Sequence, residues 1–223
     1  AKTVKNVSDG LGKTEKVIKQ STNKKLGKKV TKGKLKGFPI YTVTLQERAT
    51  CPRSCAHWSD CYGNNMPFAT RYDANDVMIE TMEKELHELQ RKHPRGFLVR
   101  LHVLGDFFSV GYVAQWGKWL TQFPGLHVYG YTANQPDALD AKERAIGQAI
   151  QTIRDAAADR FSIRFSGNFD QSFAANSFDD ERAQEQVKAK QAFVCPVQTD
   201  KVESCGACGL CWQSQKTVVF ITH

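Results

Sequence analysis

The chain has 223 residues, 41% of them hydrophobic, with 13 Phe and 4 Trp, enough for one large core with or without an appendage. No apolar run approaches the ~20 residues of a membrane span and the N-terminus lacks a signal-peptide apolar stretch, so the expectation is a cytoplasmic protein with no membrane partner. The formal charge of +8 is uneven: residues 1–37 hold 12 Lys against Asp9 and Glu15, or +10, and the remainder carries −2.

Those lysines come without Arg or aromatic residues. Such a segment suits phosphate backbones electrostatically and reads no bases, which makes nucleic acid the expected partner. The plainer alternative is a solvated lead-in. Residues 1–37 are therefore expected as a basic, partly disordered arm, and 38–223 as the folded domain.

In chain order, Phe38 to Leu45 is rich in β-branched and aromatic residues and reads as a strand. Asp73 to Lys92 has helical spacing, with Val77, Met78, Thr81, Met82, Leu86 and Leu89 on one face. Phe97 to Leu104 is a second strand, running into Gly105-Asp106, and Val110 to Phe123 is a short helix bearing Trp116 and Trp119. Leu126 to Thr132 is a third strand, and Pro136 to Ala158 a long helix with a core stripe of Leu139, Ile146, Ile150 and Ile153. Phe161 to Phe165 follows as a fourth strand, Gly167 to Phe178 as an irregular stretch, and Asp179 to Lys190 as a helix. Ala192 to Cys195 and Thr217 to Thr222 complete six strands.

Strands alternating with helices imply right-handed crossovers and a parallel sheet. No glycine-rich dinucleotide fingerprint follows the first strand, which counts against the commonest doubly wound fold. Six strands in this rhythm fit either a doubly wound sheet or an incomplete barrel, and the architecture adopted is α/β, a partial TIM-like barrel of six β/α units with a C-terminal cysteine-rich metal-binding loop at 195–211. Ligands sit at the carboxyl ends of such strands. There the sequence places the Cys51–Cys61 loop, Gly105-Asp106, Thr132 with Asn134, and Ser166, and the last strand could bring His223 to the same edge.

All seven cysteines fall into two groups, a distribution that in a reducing compartment favours metal over disulfides. Cys51, Cys55 and Cys61 are spaced C-x3-C-x5-C, and three thiolates leave one position open on a four-iron cluster. Cys195, Cys205, Cys208 and Cys211 are spaced C-x9-C-x2-C-x2-C. That pattern suits a four-cysteine zinc site or a ferredoxin-like [4Fe-4S] loop. The inert reading of the first group is a closed zinc site completed by His57. His102 and His127 lie among apolar strand residues, as core histidines do, and Trp116 and Trp119 stand at a packing spacing. Trp58 and Tyr62 lie inside the first cysteine loop and could cover a cluster or substrate.

The segment CPRSCAHWSDCYG after the first strand resembles the cluster loop of radical SAM-type proteins. VLGDFFS after the second resembles the position of their Gly-Gly-Glu motif, which binds the amino group of S-adenosylmethionine. The full order, from the basic NKKLGK lead through these motifs to the cysteine-rich end, is similar to the phage-encoded gene product eighty-eight family over about residues 22–223. The cysteine spacing departs from C-x3-C-x2-C, and Gly105-Asp106 stands where Gly-Glu is expected. The resemblance implies a [4Fe-4S] cluster on Cys51, Cys55 and Cys61, open to S-adenosylmethionine as its small-molecule ligand. Asp106 would accept the ligand's amino group and Gly105 would allow close approach, with Thr132, Asn134 and Ser166 as further ligand contacts. Asp106 and His223 are the candidate catalytic residues. The second cysteine group would be a structural centre or an electron relay. The competing class is a non-redox nucleic-acid-binding protein with two structural zinc sites. A metal-stapled barrel resembling the zinc-bearing transglycosylases ranks last, because no matching nucleophile constellation is present.

Overall fold

The computed structural model describes residues 4–5, 16–66, 69–171 and 173–221, so His223 lies outside the described residues. The elements are β1 (Val4–Lys5), β2 (Lys19–Gln20), β3 (Ile40–Thr42), α1 (Glu47–Thr50), β4 (Arg71–Tyr72), α2 (Asp76–Lys92), β5 (Phe97–Leu101) and α3 (Val110–Gln122). They continue with β6 (Leu126–Thr132), α4 (Ala141–Ala156), β7 (Phe161–Ser166), β8 (Ala174–Ser177), α5 (Glu181–Lys188), β9 (Ala192–Val194), α6 (Cys205–Cys208), α7 (Leu210–Gln213) and β10 (Thr217–Phe220).

Eight strands form one sheet in the order β2-β3-β5-β6-β7-β8-β10-β9. Every pairing is parallel except the β2–β3 edge. The α/β class and the parallel sheet are as expected, but there are eight strands rather than six, and the two edge strands do not pair with each other, so the sheet is not closed into a barrel. The two additional strands are those the sequence conceals. β2 spans only Lys19–Gln20 within the lysine-rich segment, and β8 reads Ala-Ala-Asn-Ser, with no β-branched side chain. Pairing with neighbours, rather than local propensity, makes them strands.

Strands β3, β5, β6 and β7 lie side by side in sequence order, and α2, α3 and α4 all pack on one face of the sheet. Met78, Met82 and Leu86 of α2, Trp116 and Trp119 of α3, and Ile146 and Ile150 of α4 share a core with Val99, Val128 and Ile163. The alternating residues Leu98 and Tyr129 point the other way, towards Val30 and Trp212. Trp116 and Trp119 are fully buried and meet edge to face, with ring centroids 4.8 Å apart, a favourable aromatic geometry.

Caps set the helix starts. Asn75 accepts from Met78 N–H and Asp140 from Glu143 N–H, so α2 and α4 begin later than the periodicity suggests. Leu139 consequently lies before α4 and is 100% exposed, and Val77 is 44% exposed; neither belongs to the core stripe expected of it.

The lysine-rich segment is folded from Lys16 onward. Val17 and Ile18 are buried, and their N–H groups donate to the two oxygens of Glu85 at 2.9 and 2.8 Å. Burial pushes the Glu85 carboxyl above the usual carboxylate range, and these donors oppose the shift. Lys28 to Val30 then pairs with Phe38 to Ile40 as an antiparallel hairpin.

Core position decides the outcome of substitution. Trp119→Ala should destabilise the chain by about 3–5 kcal/mol through transfer and cavity effects, whereas Val77→Ala should stay within about 0.5 kcal/mol. Urea unfolding of the two variants checks this, and similar losses would contradict the packing.

Candidate metal centres

In a parallel sheet the strand exits share one edge, and the first cysteine loop leaves from β3 at that edge. The chain continues past Leu45, whose N–H donates to Leu104 O at 2.9 Å, through α1 and into Cys51. The loop is shaped by Arg71 of β4, which is fully buried. Its Nε donates to Glu47 Oε2 at 2.6 Å, Nη1 to the carbonyls of Met66 and Ala69, and Nη2 to the carbonyl of Gly63. A second tie runs to α4, where Ser54 Oγ donates to Glu143 Oε2 at 2.6 Å.

Between these anchors Cys51, Cys55 and Cys61 are half-buried free thiols. Burial pushes the Cys51 thiol far up, and the nearby negative charges of Asp106, Cys55 and Cys61 push it further. Cys55 is raised by burial, opposed by the His57 backbone N–H, and raised again by Asp106 and Cys61. Three thiols and the Asp106 carboxyl thus share a region that disfavours added negative charge, and a bound cation would stabilise their deprotonated forms. His57 pairs instead with Asp60 at 3.2 Å, and both side chains are largely exposed.

Gly105 and Asp106 join this loop to the next strand exits. Gly105 has φ +84°, and an added Cβ would stand 2.7 Å from both Leu45 Cβ and Thr50 Oγ1. The close approach that requires glycine is therefore to the chain itself. Asp106 is 4% exposed. Its Oδ1 accepts from Phe107 N–H and Thr132 Oγ1, and its Oδ2 from Ala133 N–H, each at 2.7 Å. Burial nonetheless raises its pKa to about 6, these donors opposing. The expected acceptor of a ligand's amino group faces inward instead, holding the β5 and β6 exits together. Thr132 and Asn134 belong to the same buried network, with Asn134 Nδ2 donating to Phe107 O and Thr132 Oγ1. Ser166 stands apart, half-buried, its carbonyl accepting from Gln135 Nε2 at 2.7 Å.

The second group lies on the sheet face opposite α2–α4, with Cys195 directly following β9. Cys195, Cys205, Cys208 and Cys211 all line one small cavity with Phe193, Pro196, Val197, Leu210 and Trp212. Burial pushes Cys205 up to about 12, with Cys211, Cys195 and Cys208 adding to the rise and Arg100 opposing it. Backbone N–H groups of Val197 and Gln198 reach Cys195, and that of Leu210 reaches Cys208. Tyr131 OH donates to Cys211 Sγ at 3.1 Å, and the Arg100 guanidinium lies 4.4 Å from the Tyr131 ring centre. A fully buried arginine also anchors this loop. Arg164 of β7 donates to the carbonyls of Leu210, Cys211, Ser214 and Lys216, and to that of Ala174.

Among the described residues no three His, Cys, Asp or Glu side chains stand at the spacing of a formed metal site. The cysteines share loops and a cavity and are not drawn into a coordination sphere. The donor types fit thiophilic metal at both places: three thiols beside the Asp106 carboxyl in the first group, and four thiols with backbone N–H donors and the Arg100 guanidinium nearby in the second. His102 is a buried histidine bonded through Nε2 to Tyr112 OH at 3.1 Å, and His127 packs on Phe38. The sequence reading missed Arg71, Arg100, Arg164, Tyr131 and Glu143. The signal for two of them was present, since Arg100 and Arg164 interrupt the otherwise apolar runs FLVRL and FSIRF.

The sequence profile of the Gene product 88 family matches residues 16–214. The Gene 88 protein of Mycobacterium phage L5 is 27% identical over 150 residues, covering 60% of this chain and 57% of that protein. The chain thus spans little more than half the length of this curated relative. No solved structure matches.

Removing one arginine should release one loop. Arg71→Leu leaves Glu47 buried without this partner and should cost about 3–5 kcal/mol, with faster hydrogen exchange over residues 47–66. Arg164→Leu should act instead over residues 210–216. Exchange that rises uniformly along the chain in both variants would contradict this division.

Proposed function

We propose that this chain, which belongs to the gene product 88 family, is a radical SAM-like iron–sulfur protein with two centres. Cys51, Cys55 and Cys61 would hold the reactive [4Fe-4S] cluster, and three thiolates leave one iron for S-adenosylmethionine. When bound, that cluster supplies an electron to its ligand. The observation that carries this reading is the placement of the three-cysteine loop, with Asp106 in its electrostatic field, at the edge where the parallel strands end.

The chain's own residues prepare the site. Arg71 and Glu143 fix the loop's backbone, and Asp106 acts as a positioning residue by tying Thr132 and Ala133 to the β5 exit. Of the ligand contacts implied by resemblance, Ser166 retains a half-exposed side chain at this edge. Trp58 and Tyr62 in the loop offer rings to cover a ligand, the Trp58 ring already lying 4.8 Å from the Arg53 guanidinium.

Cys195, Cys205, Cys208 and Cys211 would hold the second, closed centre, as a structural unit or electron relay. Tyr131 OH and Arg100 favour added negative charge there, which raises a cluster's potential. The lysine-rich N-terminal region is the proposed nucleic-acid contact, and the reducing host cytoplasm the proposed location. No helix among the described residues is long and apolar enough to cross a membrane.

Metal analysis after anaerobic purification should find about eight irons per chain if both centres are four-iron clusters. Two zincs with negligible iron would instead return the non-redox binding reading. Electron paramagnetic resonance of the reduced protein should change on adding S-adenosylmethionine, and Cys51→Ala, Cys55→Ala or Cys61→Ala should abolish the change. An unaltered wild-type spectrum with the first cluster present would sink the radical SAM reading.

Tyr131→Phe removes one donor from Cys211. A hydrogen bond of about 1 kcal/mol corresponds to roughly 40 mV for one electron, so the second centre's potential should fall by about that much. The first centre's potential should hold. A redox titration followed by resonance spectroscopy reads both.

A further inference from the structure

From Lys16 to Gln46 the sequence holds nine lysines and no acidic residue. Lys24, Lys25, Lys28, Lys29, Lys32, Lys34 and Lys36 are all exposed, and none forms an ion pair among the described residues. They are displayed on an ordered hairpin. Val30 N–H donates to Phe38 O, Gly37 N–H to Val30 O and Ile40 N–H to Lys28 O, each at 2.8 Å.

The support beneath this hairpin is the four-cysteine loop. Cys205 N–H donates to Lys25 O at 2.8 Å, Gly206 N–H to Leu26 O at 3.1 Å, and Thr31 N–H to Gly206 O at 2.9 Å. Gly206 lies so close that an added Cβ would be 2.3 Å from Lys29 O. Leu26 and Leu35 pack inward with Trp212, Cys205 and Cys211. The supporting helices α6 and α7 have four residues each, far below the length at which a helix is stable alone. Their shape must come from packing and from whatever the cysteines bind, and ligation energy at such a site is also folding energy.

We propose that the lysine hairpin is a folded nucleic-acid-binding surface whose form depends on ligation of the four-cysteine centre beneath it. Metal loading at Cys195, Cys205, Cys208 and Cys211 thereby controls affinity for nucleic acid without contributing a charge to the surface. This rests on reading those cysteines as one centre and the lysines as a polyanion contact. The chemistry favours nucleic acid over a bilayer. Leu26 and Leu35 point into the core, and no exposed aromatic or large aliphatic side chain of residues 24–37 is available to insert between lipids. Seven exposed ammonium groups favour a ligand of regularly repeated charge, whose binding releases several counterions together.

The test is fluorescence anisotropy of a labelled DNA duplex with the full chain across a salt series. Replacing Lys28, Lys29 and Lys32 together by Gln should weaken binding at least about tenfold and make the salt slope shallower by roughly 2.7. Cys208→Ser, which leaves every lysine in place, should weaken binding by a similar factor. Hydrogen exchange should then quicken over residues 25–37 while β5 and β6 stay protected. If the lysine variant loses affinity and Cys208→Ser does not, the coupling is overturned and the contact stands. If the lysine variant binds as wild type does, the contact itself is overturned. Tighter binding to phosphatidylserine vesicles than to DNA at equal salt would overturn the nucleic-acid assignment. Should Cys208→Ser fail to fold, wild-type protein stripped of metal and reloaded gives the same comparison. Affinity lost and regained with metal supports the coupling, and constant affinity overturns it.

Discussion

A guanidinium sealed away from water must find acceptors for its N–H groups inside the protein. In this chain Arg71 and Arg164 find them on the backbone of the two cysteine loops. Loops rich in carbonyls and poor in apolar side chains cannot bury themselves, so each is organised around a buried cation. The arginine receives acceptors and the loop receives a fixed shape. Arg164 sits on β7 of the eight-stranded sheet and passes its rigidity to the second loop, whereas Arg71 sits on the short β4, outside that sheet and bridged to Leu45 through Tyr72.

The two cysteine groups differ in what surrounds them. The first sits among negative neighbours at an edge where solvent reaches the loop, with Asp106 raising the thiols rather than calming them. The second receives the Tyr131 hydroxyl on Cys211 and has the Arg100 guanidinium nearby. A centre meant to exchange ligands gains from being under-satisfied, whereas one meant to endure gains from compensation. That contrast fits a reactive and a supporting role respectively.

Much of the fold was legible in the sequence because α2 to α4 and β5 to β7 carry strong periodicity and end at recognisable caps and turns. β8 was not legible, since Ala174–Ser177 is extended only because β7 and β10 supply ladders on its two sides. The cysteines stood out by spacing, but their supports did not. Arg71 lies ten residues beyond Cys61, and Glu143 reaches Ser54 from another helix. Asp106 was found by position but its inward partners were not, because a sequence does not say that a carboxylate accepts from Thr132 and the Ala133 N–H. The lysines of residues 24–36 likewise gave charge without form. Their hairpin depends on Gly206 and Trp212, far along the chain.

β10 lies between β8 and β9, although β9 comes earlier in the chain. Strand β9 therefore has no ladder to join until β10 has docked, and the two must meet across residues 195–216. Closing a segment of that length opposes assembly entropically, and pairings of this non-local kind are slow to form. In the proposed metal-bound form, drawing Cys195 and Cys211 to a common ion would shorten the free segment before the strands meet. On that proposal the same thiols would govern how fast the sheet is completed as well as how firmly it holds.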